Sequence, residues 1–288
     1  MDKILLTGAS GFVGSYFMQH YGQKYTIIPF SFRKDDFSAL SLDGIKAVVH
    51  LSALVHQMGG ASYEAYYEVN VTQTLQLAQK AKDAGVGHFV FMSSIKVCGE
   101  ESSKPYSETT QCKPQDDYGK TKYEAEQRLL ELVDDSFCVS IIRTPIVYGY
   151  GVKANIQSLV QLVAKVPFLP FGDINNKRSM IYIGNLTYII DHLIQTRQGG
   201  IYFVADDTTL STKEFILAIA KAQKKHITLI HIPLFALLLK KLKPSFYKRL
   251  YESLQIDTRN SKHHLFGSDV VKLPYSVEDG IEAMVKGL

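Results

Sequence analysis

The stretch TGASGFVG at positions 7–14 constrains this chain more than any other. It places Gly8, Gly11 and Gly14 three residues apart, directly after a short apolar run and before a helix-patterned one. Each glycine has its own physical use. The first permits a tight turn, the second lets the backbone approach a bulky anionic group, and the third lets the helix pack closely on the strand. The helix that starts near Phe12 then offers free N–H groups and the positive end of its dipole to a pyrophosphate. Ser10, Phe12 and Val13 belong to the same junction. A chain that begins this way is expected to be an α/β protein that holds a dinucleotide.

The rest of the first half agrees. Short β-rich runs at 3–7, 25–28, 47–51, 88–92 and 138–143 are nearly continuous in apolar character, as strands covered on both faces should be. Helical spacing occupies 12–21, 63–84 and 118–133, with Gly85 placed to end the second as a C-cap. This alternation predicts a Rossmann-type doubly wound parallel sheet, a dinucleotide-binding domain over 1–150. After YGYG at 148–151 the pattern changes to mixed helices with isolated strands at 201–204 and 227–232. This part reads as a smaller mixed α/β lobe over 151–288 that closes over the first, with residues about 178–205 returning to the dinucleotide-binding domain.

Composition removes several alternatives. With 46% apolar and 21% charged residues the chain can build an ordinary globular core. A net charge of +4, from 32 basic and 28 acidic residues, is too mild for a nucleic-acid surface and leaves a small-molecule partner. Cys98, Cys112 and Cys138 have no metal or disulfide spacing, which makes a reducing cytoplasm the default. His50 and His56 have no ligand cluster around them, so no metal site is expected; His50 reads as a strand residue and His56 as a pocket wall. No signal peptide is visible, and the apolar run at 234–239 is far short of the roughly 20 residues that span a bilayer. Around that run, 231–251 collects His231, Lys240, Lys241, Lys243, Lys248 and Arg249. The segment is expected to be a lobe helix with a basic outer face, broken at Pro244; contact with an anionic membrane is the alternative.

A dinucleotide needs a partner for its adenosine ribose about 20 residues beyond the glycines. Here that region is PFSFRKDD, 29–36. Pro29 cannot donate to a ladder, so the strand is expected to end there, with Ser31, Arg33 and Lys34 at the ribose before Asp35 or Asp36. A hydroxyl and two cations suit a 2′-phosphate and favour NADP(H), while Asp35 leaves NAD(H) open. Further on, Tyr118 and Lys122 in YGKTK share one helix face. The ammonium is expected to stabilise the phenolate, so that the pair can exchange a proton near neutral pH. Ser93 and Ser94 close the run HFVFMSS at the end where open α/β sheets present ligand-binding groups.

These motifs together resemble the extended short-chain dehydrogenase/reductases, which act largely on nucleotide-activated sugars. TGASGFVG is similar to their cofactor loop. VVHLSA is similar to the strand that touches the cofactor, which implies Leu51, Ser52 and Ala53. YEVNVTQTLQLAQKA resembles the helix whose asparagine, here Asn70, supports the nicotinamide side, and RTPIVYGYG the loop behind the nicotinamide, with Pro145. In SSIKVCGE the family's hydroxyl lies five residues before the glycine, which selects Ser94 by way of Gly99, with Ser93 as fallback. The resemblance thus implies Ser94, Tyr118 and Lys122 as the catalytic group, the last two also touching cofactor. GVKANIQSLVQLV, LPFGDINNKRSMIYIGNL and KLPYSVEDGI look like the sugar-binding half of enzymes that modify UDP-N-acetylhexosamines for surface polysaccharides. They imply Arg178 on the nucleotide diphosphate and Asn155 near it. Ile146, where some epimerases carry Asn, and Cys98, where Tyr is commoner, depart from the pattern. The reaction implied is NADPH-dependent reduction of the C4 ketone of a UDP-4-keto-6-deoxy-N-acetylhexosamine. NAD-dependent C4 epimerisation of a UDP-linked sugar is the alternative. A non-catalytic NADP-sensing or scaffold protein is disfavoured by the intact Ser94, Tyr118, Lys122 set. A homodimer through 63–84 and 118–133 is a further implication of the resemblance.

Overall fold

A computed structural model describes residues 1–55 and 61–287; His56 lies outside them. Strand β1 (Asp2–Thr7) leads through the glycine loop into α1 (Phe12–Tyr21), followed by β2 (Tyr25–Phe30) and β3 (Ile45–His50). A helical stretch in three parts comes next: α2 (Tyr63–Tyr67), a π-helical turn at Glu68–Thr72 and α3 (Gln73–Asp83). Then come β4 (His88–Ser94), α4 (Asp117–Glu131), β5 (Cys138–Thr144), β6 (Ile146–Tyr148), α5 (Ala154–Lys165), β7 (Phe168–Leu169) and β8 (Met180–Tyr182). The chain finishes with α6 (Ile183–Thr196), β9 (Gly200–Phe203), α7 (Thr212–Ala222), β10 (Thr228–Leu229), α8 (Phe235–Leu242), α9 (Pro244–Tyr251), α10 (Arg259–Phe266) and α11 (Val277–Lys286).

Six strands form one parallel sheet in the order β2-β1-β3-β4-β5-β9. The chain steps outward from β1 to β2 and then crosses back to β3 on the other side of β1. The order reverses there and leaves a crevice at the C-terminal strand ends. Successive side chains serve opposite faces. Leu5, Val48, Phe89 and Phe91 join a core with Leu77 and Ala81 of α3 and Ala125 and Leu129 of α4. Ile4, Leu6, Val49 and Val90 join another with Phe17 of α1 and Leu186 and Ile190 of α6. Both faces are covered, which is why the strands read as continuous apolar runs.

Three local expectations are corrected. Strand β2 runs through Pro29 to Phe30, because it is the edge strand and pairs only with β1, so the missing N–H breaks no ladder. In the connection at 31–44 that follows it, Phe32, Phe37, Leu40 and Leu42 pack on the core of Leu5 and Val48. The single helix expected over 63–84 is interrupted by the π-helical turn. Of the strand expected over 227–232 only Thr228–Leu229 forms, paired with β7 rather than with the main sheet. Gly85 ends α3 as expected, at φ +76, with Val86 N–H bonded to the Ala81 carbonyl at 2.9 Å and Gly85 N–H to that of Lys82 at 3.0 Å.

The C-terminal elements do not build a core of their own. Val160, Phe215 and Ile281 belong to the same buried cluster as Ile4 and Leu6. The Asp206 carboxylate, just past β9, accepts from Tyr148 Oη at 2.6 Å, Asn185 Nδ2 at 2.8 Å and Tyr182 N–H at 3.0 Å. It thereby locks β6, β8 and α6 together. Among the described residues no helix is long and apolar enough to cross a membrane.

Candidate active site

At the glycine loop the backbone comes closer to its neighbours than any side chain would allow. Gly8 sits at φ +71, and a Cβ there would stand 2.9 Å from the Leu51 carbonyl carbon and Ser52 nitrogen; a Cβ on Gly14 would stand 2.2 Å from the Gly8 oxygen. Gly11 starts α1 with no side-chain cap, and the first turn carries no acidic residue, so the terminal N–H groups keep their affinity for an anion. Ser10 is exposed beside them, Phe12 half-buried and Val13 buried. This cradle fits a pyrophosphate.

The loop after β3 is held by a buried chain of hydrogen bonds. Ser52 N–H donates to Thr7 Oγ1 at 3.2 Å, Thr7 Oγ1 meets His50 Nδ1 at 2.8 Å, and His50 Nε2 meets Thr74 Oγ1 at 3.0 Å. Thr74 in turn donates to the Asn70 carbonyl at 2.9 Å. Only one direction satisfies every member: His50 donates from Nε2 and accepts from Thr7 at Nδ1. Burial, reinforced by Lys122, pulls the His50 pKa down to about 3, which keeps the ring neutral. His50 is therefore a structural relay rather than a plain strand residue. Asn70, fully buried in the π-helical turn, accepts from Leu54 N–H at 2.8 Å and donates to the Leu54 carbonyl at 3.1 Å and to Thr121 Oγ1 at 3.2 Å. It ties the loop of Leu51, Ser52 and Ala53 to α4. A π-helical turn is a common way to aim one side chain out of helical register.

Beyond β2, the Asp35 carboxylate folds back to accept the Ser31 N–H at 2.8 Å, and the Ser31 carbonyl accepts from Lys34 and Asp35 N–H at 2.9 Å each. The turn returns an acidic group to the C-terminal end of β2, while Arg33 and Lys34 are exposed beside it. The groups expected for both forms of the dinucleotide are present together.

Helix α4 is set by residues that sequence reading overlooked. Its N-cap, Asp116, accepts from Gly119 N–H at 2.7 Å and pairs with Lys96, whose Nζ also lies 2.9 Å from Glu100. A Cβ on Gly119 would stand 2.8 Å from the Lys96 carbonyl oxygen, so the first turn of α4 rests directly on the serine segment. This seats Tyr118 against Ser94. Ser93, its neighbour in an alternating strand, faces the other way, and its hydroxyl is buried without a partner. The signal was in the sequence: Asp116 followed three residues later by a glycine at a helix start.

The electrostatics of the pair differ from the expectation. Burial pushes the Tyr118 phenol up to about 12, Asp116 adds to the rise, and Ser94 pulls the other way. Burial also draws Lys122 down to about 7, opposed by Glu126, and its Nζ lies 3.8 Å from the centre of the Phe91 ring. Both groups are thus driven toward their neutral forms, and Lys122 does not pull the phenol down. Desolvation is the leading cause for both. The resting phenol is a proton donor. One turn beyond Lys122, Glu126 is fully buried in an ion pair with Arg143, 2.6 Å apart, which fastens α4 to β5. The lone arginine ending the apolar run SIIR was the available clue.

Pro145, buried at the end of β5, leads to Ile146, which lines a cavity of about 240 Å³. Asn155 at the start of α5 and Arg178 line the same cavity, so the structure brings together the two residues that sequence reading assigned to a sugar nucleotide. Arg178 is anchored through its backbone to Leu210 and Leu254, and its Nη1 donates to the Glu252 carbonyl at 2.9 Å. A second guanidinium, Arg249 of α9, was assigned only to a basic outer face, yet it shares the cavity and with burial lowers the Arg178 pKa. Cys98 lies elsewhere, 3.6 Å from the Cys112 sulfur and clustered with Phe203 and Ile256, so that departure from the pattern does not reach the cavity. Among the described residues no cluster of His, Cys, Asp and Glu could hold a metal ion.

Residues 4–205 match the NAD dependent epimerase/dehydratase family. The UDP-glucose 4-epimerase of Vibrio cholerae is 37% identical, over 97% of this chain and 93% of its own length. Among solved structures, RMD from Pseudomonas aeruginosa complexed with NADPH superposes with a TM-score of 0.80 at 20% identity, covering 100% of this chain and 99% of that one. UDP-glucuronic acid 4-epimerase from Bacillus cereus in complex with NAD superposes with a TM-score of 0.76 at 21% identity, covering 99% and 98%. With a glycine cradle at the switch point, a Ser94, Tyr118, Lys122 group beside it and likeness along the whole chain, this protein belongs to the NAD dependent epimerase/dehydratase family, the extended short-chain dehydrogenase/reductases that act on nucleotide sugars.

Proposed function

We propose that the protein is an NAD-dependent 4-epimerase of a UDP-linked hexose or N-acetylhexosamine. The observation that carries this reading is the likeness, nearly end to end, to the Vibrio cholerae UDP-glucose 4-epimerase. The Asp35 carboxylate returned to the end of β2 supports it, since an acidic group there suits the free ribose hydroxyls of NAD.

A bound nicotinamide dinucleotide supplies the hydride acceptor and donor. The chain's own residues do the remainder. The α1 terminus and its glycines, with Ser10, Phe12 and Val13, hold the pyrophosphate, and Ser31, Arg33, Lys34 and Asp35 surround the adenosine ribose. The loop of Leu51, Ser52 and Ala53, fixed by Asn70, and the Pro145 turn bound the nicotinamide side. Arg178 and Arg249 take the sugar nucleotide's diphosphate, with Asn155 near it, and a fork of N–H donors suits that geometry. Tyr118 exchanges the proton of the sugar O4, Ser94 hydrogen-bonds the same oxygen, and Lys122 binds the nicotinamide ribose. Loss of the C4 hydrogen gives a 4-keto sugar; turning that sugar and returning the hydrogen to its other face inverts C4.

One observation favours a second reading, the one-way reduction of a UDP-4-keto-6-deoxy-N-acetylhexosamine with NADPH. Burial holds the Tyr118 phenol protonated, as a ketone reductase needs, and Arg33 and Lys34 are exposed where a 2′-phosphate would lie. Two incubations separate the readings. The epimerase converts UDP-glucose or UDP-N-acetylglucosamine to its C4 epimer with NAD, resolved by proton NMR of the anomeric region. The reductase consumes NADPH only with the 4-keto substrate. NADPH consumption without epimer overturns the first reading, and Asp35→Ala weakening NADPH more than NAD would show that the ribose assignment is reversed.

A further inference from the structure

Helices α8 and α9 form a hairpin whose outward side differs chemically from the rest of the surface. Leu234, Leu237, Leu238, Leu242 and Phe246 are all exposed, Leu234 to 73% and Leu242 to 67%. Leu237, Leu238 and Leu242 lie on the outward side of α8, and Leu234 precedes them at its N-cap. Phe235 and Leu239 point the other way and pack on the main core, where the Phe235 ring lies 6.3 Å from that of Phe171. Helix α8 therefore carries two apolar faces, and the fold uses one.

The unused stripe is followed by cations. Lys240, Lys241, Lys243, Lys248 and Arg249 follow it in sequence, and no carboxylate occurs between 231 and 251. Glu101 and Glu252 lie near Lys240 and Lys248, and His231 at the start of the segment is paired with Asp173. A contiguous apolar patch this exposed marks a contact rather than a solvated face. Leucines flanked by lysines match one surface well: the leucines enter the boundary of the acyl chains while the lysine stems reach out to lipid phosphates. We propose that the α8–α9 hairpin seats the protein on an anionic bilayer. With eight residues in each helix, the hairpin lies in the interface and does not cross it.

The seating bears on the sugar site, because Phe246, Arg249 and Leu250 of α9 also line the cavity that holds Asn155 and Arg178. On this seating the cavity lies beside the lipid contact. The proposal stands whether the site epimerises or reduces.

The full chain is sedimented with vesicles of phosphatidylglycerol and phosphatidylcholine, and with phosphatidylcholine alone, at low and moderate salt. The protein is expected to pellet with the anionic vesicles only, and less so as salt screens the lysines. Two double variants follow: Leu237→Glu with Leu238→Glu, and Lys241→Glu with Lys243→Glu. None of the four residues lines the cavity, so turnover of a soluble sugar nucleotide is expected to be unchanged, which confirms folding. Each pair is expected to weaken vesicle binding about tenfold or more. No retention on anionic vesicles, equal retention on neutral ones, or wild-type binding by both variants overturns the proposal. So does self-association, seen by light scattering, that the leucine variant loses while vesicles bind neither protein; that outcome gives the face to a second copy of the chain.

Discussion

The glycine cradle and the cavity proposed for the sugar nucleotide are built by different means. The first is made of backbone: three glycines within seven residues and one uncapped helix terminus make a cradle whose shape depends on the absence of side chains. The second is made of side chains drawn from far apart, with Asn155, Arg178 and Arg249 brought to one cavity by α5, a β-bridge and α9. A backbone site tolerates almost no substitution but accepts any ligand of the same phosphate geometry. A side-chain site can be altered one residue at a time, and there a family changes its sugar.

Between the two stands α4, and it carries the largest expected effect. Tyr118→Phe removes only the transferable proton, so turnover should fall about 10²–10⁴-fold while dinucleotide binding, followed by nucleotide fluorescence, stays within a factor of two or three. A kcat near that of the wild type would remove Tyr118 from the proton transfer. Next, Gly14→Ala tests the backbone site. Its Cβ would meet the Gly8 oxygen at 2.2 Å, which only movement of the loop can relieve, so dinucleotide affinity should drop about 100-fold. Unchanged affinity would mean that the cradle is looser than its contacts imply.

Lys122 sharpens the comparison through pH. Its folded pKa, about 7, lies below the ordinary 10.5, so the unfolded chain binds the proton more tightly and the buried lysine costs stability as pH falls from about 10.5 toward 7. Lys122→Met should therefore abolish most turnover yet raise stability at pH 7 by roughly 3–5 kcal/mol, the gain vanishing near pH 10.5. A variant less stable than wild type at pH 7, measured by urea unfolding, would show that the contact with the Phe91 ring outweighs desolvation. The smallest effect belongs to the cavity. On the proposed reading, Arg178→Ala should raise KM for the sugar nucleotide about tenfold and leave kcat within a factor of three, as expected of an arginine that binds a diphosphate equally before and during reaction. An equal loss in kcat would move Arg178 from binding to the chemistry.

The same difference explains what could be read in advance. Gly8, Gly11 and Gly14, the pair Tyr118 and Lys122, and Ser94 five residues before Gly99 are local patterns, legible because their geometry is set within a turn or two of one element. The strands of the main sheet were legible for a related reason, since burial on both faces writes itself into every position. Arg249 looked like one more surface cation because nothing nearby in sequence shows that α9 folds back over the cavity. Pro29 misled for the same reason: whether a proline ends a strand depends on which neighbour the strand has, and β2 has one.

The sequence by itself determined the fold class and the family, and it named the groups expected to hold a pyrophosphate and to exchange a proton, through short-range spacing and the period of apolar residues. Only the tertiary structure decided their state. It made His50 a neutral relay, pushed Tyr118 and Lys122 toward their uncharged forms, turned Asp35 back to the end of β2 and set Arg249 beside Arg178. All four depend on which groups from distant segments share a low-dielectric interior, and desolvation and charge pairing are properties of that neighbourhood rather than of any residue alone.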